Sequence, residues 1–428
     1  MKKMSSMSKK IQDNNLLYNI LCPLVQYATR CHYHHFTVRG LDNLPADGAY
    51  IIAPCHQQAL MEPLAVLCFA PKPPVFLARA DLFAKPTLRA ILTFLRIMPV
   101  YRIRDGKSSL GKNQAIFDQS RDVLLDGYPL CLMAEGRHNN RHHLLPFGKG
   151  MFRIAGETQQ RLGDHPLYIV PTGIDFDDYE RPYSNLVVNI GRPIPVKPFM
   201  EAYLADEPVA LNQMRDALAE ALSPLMLDIR DNDRYDAIYT LCNRLNRDYR
   251  RRRGLRNTAW NRFLMRQQIA RDVESGKLNI EDHRGLQEEH WPLAATLAAV
   301  LLLAAVAAAV VAVPLVRWVA LFCLLCYPLP FLPTHLIVKK KVADPQFRSS
   351  FNFGVRFALS ILYAIVIGIV MAATGGAWMC RLADIGAWWG LVAVAWVFVG
   401  ARLAAPTVCF LRSTAANCRY WLRRLLSR

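Results

Sequence analysis

The sequence lacks a regular pattern of cysteines, is poor in acidic residues and has no long apolar run near its N-terminus. Its eleven cysteines fall at irregular spacings, and several lie in apolar stretches. This argues against a disulfide framework and favours reduced thiols in a reducing compartment. Asp and Glu number 34 against 52 Lys and Arg, a formal charge of +18, which fits anionic partners such as nucleic acid or anionic lipid. The residues before Asp13 are basic without an apolar core, unlike a cleaved secretion signal.

Long apolar runs dominate the C-terminal part of the chain. The first, at 291–313, has no charged residue and would form a helix about 34 Å long, enough to cross a hydrocarbon core of about 30 Å. The second has three prolines in its latter half, which make it irregular. A buried core of a soluble domain fits poorly, because such runs leave almost no polar face. We therefore expect about four membrane spans, in the runs at 291–313, at 318–338, between 356 and 381, and between 384 and 412.

Basic residues flank these runs unevenly. The segment between runs two and three and the tail after run four are rich in Lys and Arg, whereas the two opposite loops carry only Arg317 and Arg381. The positive-inside rule predicts a multi-pass protein of the cytoplasmic (inner) membrane, with its N-terminal part facing the cytoplasm. An Arg-rich segment with interleaved aromatics such as Tyr249, Trp260 and Phe263 precedes the first run. It suits single-stranded nucleic acid, or, more simply beside a membrane, an anionic lipid surface; a solvated helical face is an alternative.

Short apolar runs alternate with helix-length segments from about residue 36 to 235. This alternation predicts an α/β domain, in which active groups gather at strand ends and in the loops that follow. The predicted strands lie at 49–54, 74–79, 130–134, 167–171 and 186–190, and the predicted helices near 85–96, 109–126, 149–162 and 208–229.

His56 and Glu62 stand close together just after the first of these strands. A neutral imidazole can serve as a general base near pH 7, and a carboxylate that fixes its tautomer improves it. Cys55 is adjacent, but neighbouring side chains of an extended segment point in opposite directions. The pattern therefore favours a two-residue base over a nucleophilic triad. By themselves, a histidine and a glutamate at this spacing are more often surface residues that do not touch.

Three further constellations follow strand-like segments. Pro99-Val100-Tyr101-Arg102 offers a guanidinium, the natural partner of a phosphate. Glu135-Gly136 combines a hydrogen-bond acceptor with a residue that allows close backbone approach. Val170-Pro171 ends another predicted strand. Each of these three blocks alone is weak evidence for a functional site. Their order along the chain is stronger evidence.

These blocks, in this order, resemble those of the glycerolipid acyltransferases, the family of glycerol-3-phosphate and 1-acylglycerol-3-phosphate acyltransferases. The lead-in from Phe36 to Pro54 and the run from Leu145 to Ala155 resemble the family as well, so the resemblance covers roughly residues 36 to 195. It implies an α/β fold with a mixed sheet flanked by helices, here followed by an all-α transmembrane domain. It implies no metal and no cofactor; acyl-CoA or acyl carrier protein would be the co-substrate.

The resemblance also implies roles for individual residues. His56 would take the proton from an acceptor hydroxyl as that oxygen attacks an acyl thioester, and Glu62 would orient His56. Arg102 and Glu135 with Gly136 would hold the acceptor headgroup, and Pro171 would shape the site near the acyl donor. From charge and position alone, Arg79, Arg137 and Lys149 are further candidates to bind substrate phosphate.

The sequence departs from the commoner family pattern at the first and third blocks. Most members have four residues between the histidine and an aspartate; here five residues separate His56 from a glutamate. A bulge or turn together with the extra methylene of Glu62 makes the pairing feasible. Ala134 stands where proline usually precedes Glu-Gly, and Arg137-His138 replaces a small polar residue, so the identity of the acceptor stays open.

The chain is thus predicted to have five parts and an enzymatic function. We expect a membrane-bound O-acyltransferase of phospholipid synthesis; acylation of another lyso-lipid such as a lyso-aminolipid, or a catalytically silent lipid-binding protein, are the alternatives. The expected partners are the bilayer, an acyl thioester and a glycerol-phosphate or lyso-lipid acceptor, without nucleic acid. The histidines near residues 32–35 and 138–143 lack the spacing of a zinc site. The parts are an N-terminal amphipathic segment (1–35), the acyltransferase domain (36–235), a basic helical juxtamembrane segment (236–290), a transmembrane domain of about four helices (291–411) and a basic cytoplasmic tail (412–428).

Overall fold

A mixed sheet forms the centre of the N-terminal part of the molecule. The computed structural model describes residues 10–101, 107–137, 139, 141–179, 183–283, 292–313, 334, 337–338, 340–378 and 388–426. The strands are β1 (His35–Arg39), β2 (Ala49–Pro54), β3 (Val75–Arg79), β4 (Ile97–Val100), β5 (Leu130–Cys131), β6 (Leu167–Phe176), β7 (Asn185–Ile190) and β8 (Ile194–Pro195).

The sheet has the order β1-β7-β6-β2-β5-β3-β4, with β8 paired to β6. Neighbouring strands from β6 to β4 run parallel, and β6 is antiparallel to both β7 and β8. The carboxyl ends of β2, β3 and β5 therefore lie at one edge of the sheet. Residues 51–55, from β2 into the loop that follows, are fully buried, as expected for an apolar strand covered on both faces.

Helices cover the sheet and continue beyond it. Several begin at a residue whose side chain caps the first turn: Asn15 accepts from the Tyr18 N–H, Asp206 from Val209 and Thr258 from Asn261. The helices are α1 (Leu16–His32), α2 (Met61–Phe69), α3 (Pro86–Phe94), α4 (Lys107–Leu125), α5 (Gly150–Leu162), α6 (Met200–Ala205), α7 (Glu207–Leu222), α8 (Tyr235–Arg244), α9 (Asn246–Arg252), α10 (Ala259–Glu274), α11 (Leu293–Ala312), α12 (Pro345–Trp378) and α13 (Trp388–Leu426).

The predicted mixed α/β sheet flanked by helices is confirmed, with corrections to its elements. The strand predicted at 130–134 is only the two-residue β5, and β1 and β4 were not predicted. The strand predicted to end at Pro171 continues to Phe176 in β6, because residues 172–176 pair antiparallel with β7. The helix predicted near 208–229 ends at Leu222.

Of the Arg-rich helices α8 to α10, α10 packs on β1 and β7 of the sheet, and α8 and α9 pack on α10. Phe263 is fully buried and packs with Val187 of β7, which corrects its interpretation as a surface aromatic. Arg266 of α10 is almost fully buried and pairs with Asp175 and Asp177 at the end of β6. The parts of the chain on either side of the predicted boundary at residue 235 are therefore in contact.

α1 has both a packed and an exposed side. Tyr18, Cys22 and Cys31 are buried, whereas Leu16, Leu17 and Ile20 are more than half exposed. α1 is therefore amphipathic, with one face packed on the domain and apolar side chains exposed on the other.

Two helices in the described part of the chain are long and apolar enough to cross a membrane. They are Leu293–Ala312 in α11 and Phe347–Val370 in α12, which correspond to the first and third predicted spans. The second predicted span lies mostly outside the described residues. The fourth falls on α13 and stays a prediction as a span, as does the orientation of the chain.

Candidate active site

The loop between β2 and α2 brings His56 and Glu62 together. Nδ1 of His56 lies 3.5 Å from Oε2 of Glu62, within ion-pair range and slightly beyond the usual 2.7–3.2 Å of an N–H···O hydrogen bond. The Glu62 side chain is fully buried, and that of His56 is 14% exposed. A carboxylate facing Nδ1 favours the tautomer with its proton there, which leaves Nε2 as the basic nitrogen.

The longer spacing between His56 and Glu62 is accommodated by backbone hydrogen bonds. Oε1 of Glu62 accepts from the N–H groups of Gln57 and Gln58, at 2.9 and 2.5 Å, while Oε2 faces the imidazole. The extra residue forms part of a turn that folds around the glutamate. The predicted proximity of His56 and Glu62 is therefore present in the structure.

Cys55 is part of the core. Its Sγ accepts from the Ile174 N–H at 3.1 Å and lies 3.4 Å from the Ile174 carbonyl. Burial raises the pKa of the Cys55 thiol well above its usual value, and the nearby carboxylates of Glu135 and Glu62 act in the same direction. A buried thiol held in its protonated form is a poor nucleophile, in agreement with a base rather than a triad.

Glu135 fixes two loops of the site. Its Oε1 accepts from the His56 N–H at 2.7 Å, and its Oε2 accepts from the Leu145 N–H at 2.9 Å. Burial raises the pKa of this carboxyl to about 8, although both N–H groups favour the ionised form. The sequence-based role for Glu135, holding the acceptor, stays a prediction; its contacts position the backbone of His56. Gly136 follows with φ of +62°, the left-handed region that glycine adopts without strain.

The structure places the remaining predicted site residues in different surroundings. Pro171 is buried in β6 opposite Ala53, three residues before His56. Arg79 ends β3 at the same edge of the sheet, where it is 43% exposed and pairs with Asp81 through two hydrogen bonds. Arg137 and Lys149 are exposed, and Lys149 directly precedes α5. Arg102 lies outside the residues that the structure describes.

Sequence reasoning missed a second set of polar contacts. They join Gln57 and Gln58 of the loop between β2 and α2, called the catalytic loop below, to residues that follow β6. The Tyr179 hydroxyl is 2.8 Å from Oε1 of Gln57, and its carbonyl accepts from Nε2 of Gln58 at 2.6 Å. The fully buried ring of His142 lies between Tyr179 and Tyr239 and contacts the Tyr235 hydroxyl at 3.0 Å. Gln57 and Gln58 lie inside the first block and could have been suspected; His142 was considered only as a zinc ligand, and nothing in the sequence marks Tyr179.

No group of three or more His, Cys, Asp or Glu side chains in the described part of the chain could hold a metal ion. The chemistry that the described residues can perform is proton transfer: a base whose tautomer is fixed by a buried carboxylate, at the carboxyl edge of a sheet.

Comparison with known proteins defines the class of this domain. The family model described as Acyltransferase matches residues 35–175, the segment from β1 to β6 that carries His56, Glu62, Glu135 and Pro171. Residues 35–175 are therefore similar to acyltransferases, and they lie in the α/β part of the chain. The match confirms the resemblance to the acyltransferase family over these residues.

Solved structures add a distant likeness. The crystal structure of the 1-acyl-sn-glycerophosphate (LPA) acyltransferase PlsC from Thermotoga maritima is similar at 18% identity and a TM-score of 0.32, over 47% of this chain and 79% of that one. At these values the likeness carries no argument about function. No curated protein matches the chain.

Proposed function

We propose that this protein is a membrane-bound O-acyltransferase of phospholipid synthesis. It transfers a fatty acyl group from acyl-CoA or acyl carrier protein to the hydroxyl of glycerol 3-phosphate or 1-acylglycerol 3-phosphate. The observation that carries the proposal is the His56–Glu62 pair, 3.5 Å apart within a domain of the acyltransferase family. The excess of basic residues and the two helices long enough to span a membrane support an anionic, lipid-borne acceptor.

The residues perform the reaction as follows. Nε2 of His56 takes the proton of the acceptor hydroxyl while the oxygen attacks the carbonyl carbon of the thioester. A C–O bond forms, the C–S bond breaks, and the imidazolium returns its proton to the departing thiolate. Glu62 stabilises the imidazolium in between, and Glu135 holds the backbone of His56 in place. No covalent acyl-enzyme forms, in keeping with the buried thiol of Cys55.

An acceptor panel tests this proposal. The full chain, purified in detergent, is given labelled acyl-CoA or acyl carrier protein with glycerol 3-phosphate, 1-acylglycerol 3-phosphate or a lyso-aminolipid, and products are identified by mass spectrometry. Acylation of a glycerol-phosphate acceptor supports the proposal. Acylation of only the lyso-aminolipid contradicts the acceptor class, and transfer to none of the three contradicts the enzymatic function.

A further inference from the structure

The candidate membrane-spanning helix α12 reaches the loop that carries His56. Oγ of Ser350, near the start of α12, accepts a hydrogen bond from the Leu60 N–H at 3.2 Å. Ser350 is 9% exposed, so this contact is shielded from water. Residues 290 positions apart in the chain therefore meet at the catalytic loop.

Leu60 is the N-cap residue of α2, and this position normally carries a side chain that accepts from the first turn. A leucine side chain cannot accept a hydrogen bond from the first turn. The Leu60 N–H itself donates to the hydroxyl of Ser350, which belongs to α12. The start of α2 is thereby fixed by α12. Glu62 lies in the first turn of α2, two residues after Leu60.

The contact belongs to a packed junction. Nε2 of His32, the last residue of α1, lies 3.3 Å from Oγ of Ser349, and the His32 ring meets that of Phe353 with centroids 5.8 Å apart. Phe353 is 6% exposed and belongs to the main hydrophobic core of the domain. α12 is thus seated on the acyltransferase domain by both apolar and polar groups at its N-terminal end.

We propose that Ser350 is a positioning residue for the His56–Glu62 base, and that α12 is a structural part of the active site as well as a membrane anchor. The hydrogen bond from the Leu60 N–H to Ser350 fixes the first turn of α2. Glu62 in that turn is thereby held with its Oε2 facing Nδ1 of His56, 3.5 Å away. The kinetic consequence rests on the proposed acyltransferase function; the structural consequence does not.

Hydrogen exchange of the full chain in detergent tests the structural part. In Ser350→Ala the Leu60 amide, followed in a peptide that spans residues 57–62, should exchange roughly fivefold faster, the effect of losing one hydrogen bond. Ser350→Thr keeps the hydroxyl and should exchange like the wild type. Ser349→Ala is the matched control, because Ser349 contacts His32 and not the loop. Unchanged exchange in Ser350→Ala, or an equal rise in Ser349→Ala, overturns the proposal.

Kinetics of the same variants test the functional part. Ser350→Ala should lower kcat roughly three- to tenfold with KM within twofold, Ser350→Thr should restore kcat, and Ser349→Ala should match the wild type. A wild-type kcat in Ser350→Ala despite faster exchange overturns the positioning role. If the wild type acylates none of the acceptors, the proposed function fails, and the exchange result alone decides whether α12 orders the catalytic loop.

Discussion

At the scale of single residues, the two carboxylate oxygens of Glu62 have different partners. Oε1 of Glu62 holds the N–H groups of Gln57 and Gln58, and Oε2 faces His56. Because Glu62 is fully buried, each oxygen has a fixed partner and the side chain has little freedom. The same group thus shapes the loop and orients the base.

This double role predicts different effects for two substitutions of Glu62. Glu62→Gln replaces one oxygen by an N–H₂ group that must face either the backbone donors or the imidazole, so kcat should fall roughly 100-fold. Glu62→Asp shortens the reach by one methylene and should lower kcat roughly tenfold. Steady-state kinetics, with melting temperatures to confirm folding, check both values. Near wild-type kcat in both variants would show that Glu62 does not act on His56.

The pairing of His56 with Glu62 could be predicted from sequence only in part. The spacing and the ordered blocks indicated which side chains meet. They could not show that Glu62 also accepts from two backbone N–H groups, because that depends on the path of five loop residues. Tyr179 was out of reach for a similar reason, since its partner Gln57 is 122 positions away.

At the scale of elements, α8 supports the loop between β5 and α5, and α10 holds the end of β6 beside it. His142, in the loop after Glu135, is enclosed by Tyr235 and Tyr239 of α8 and by Tyr179, with Asp175 of β6 at 3.7 Å. Arg266 of α10 pairs with the same Asp175. These contacts join helices on the C-terminal side of the matched domain to the loop between β5 and α5.

The burial of His142 predicts a loss of stability in acid. Burial lowers the pKa of His142 to about 3, and the charge of Arg266 acts in the same direction. An unfolded histidine titrates near 6.5, so the stabilisation is complete above about pH 6.5 and is lost as pH falls towards 3, by about 1.4 kcal/mol per pH unit.

Thermal unfolding of the full chain between pH 7.5 and 5 checks this. His142→Phe, which keeps an aromatic ring among the tyrosines, should show a shallower fall of the melting temperature than the wild type. His165→Gln, at an exposed position, is the control and should follow the wild type. Parallel curves for all three proteins would mean that His142 is protonated equally in the folded and unfolded states.

The hydrophobic periodicity predicted the sheet and most of its helices. It could not predict burial that depends on contacts between residues far apart in the sequence. The burial of Arg266 in α10 could not be predicted, because nothing near it in the sequence indicates a buried partner. Its carboxylates, Asp175 and Asp177, lie about ninety positions earlier in the chain. A buried arginine requires such a partner, and only the fold supplies it.

At the scale of the whole molecule, the catalytic and apolar parts are joined at their interface. Tyr27 of α1 donates to the Phe398 carbonyl of α13, and Arg402 of α13 donates to the Arg30 carbonyl of α1. Ser350 adds the contact with the catalytic loop. Contact between the His56 loop and a candidate membrane-spanning helix would suit the proposed lipid acceptor.

The distribution of Lys and Arg predicts how the chain crosses the membrane. Alkaline phosphatase fused after Arg317 should be active, because that loop is predicted to face outward, whereas a fusion after Lys341 should be inactive. Immunoblots that show equal amounts of both fusions provide the control. The reverse pattern would place the catalytic domain outside, and equal activity of both fusions would contradict the predicted second span.

We propose above that His56 is the base that deprotonates the acceptor, and a single substitution tests this most directly. With saturating acyl donor and acceptor, His56→Ala should lower kcat roughly 100- to 10,000-fold at an unchanged melting temperature. His165→Ala, a matched loss of an exposed imidazole, should leave kcat unchanged. If the kcat of His56→Ala stays within threefold of the wild type, the proton is taken by another group and the account is contradicted.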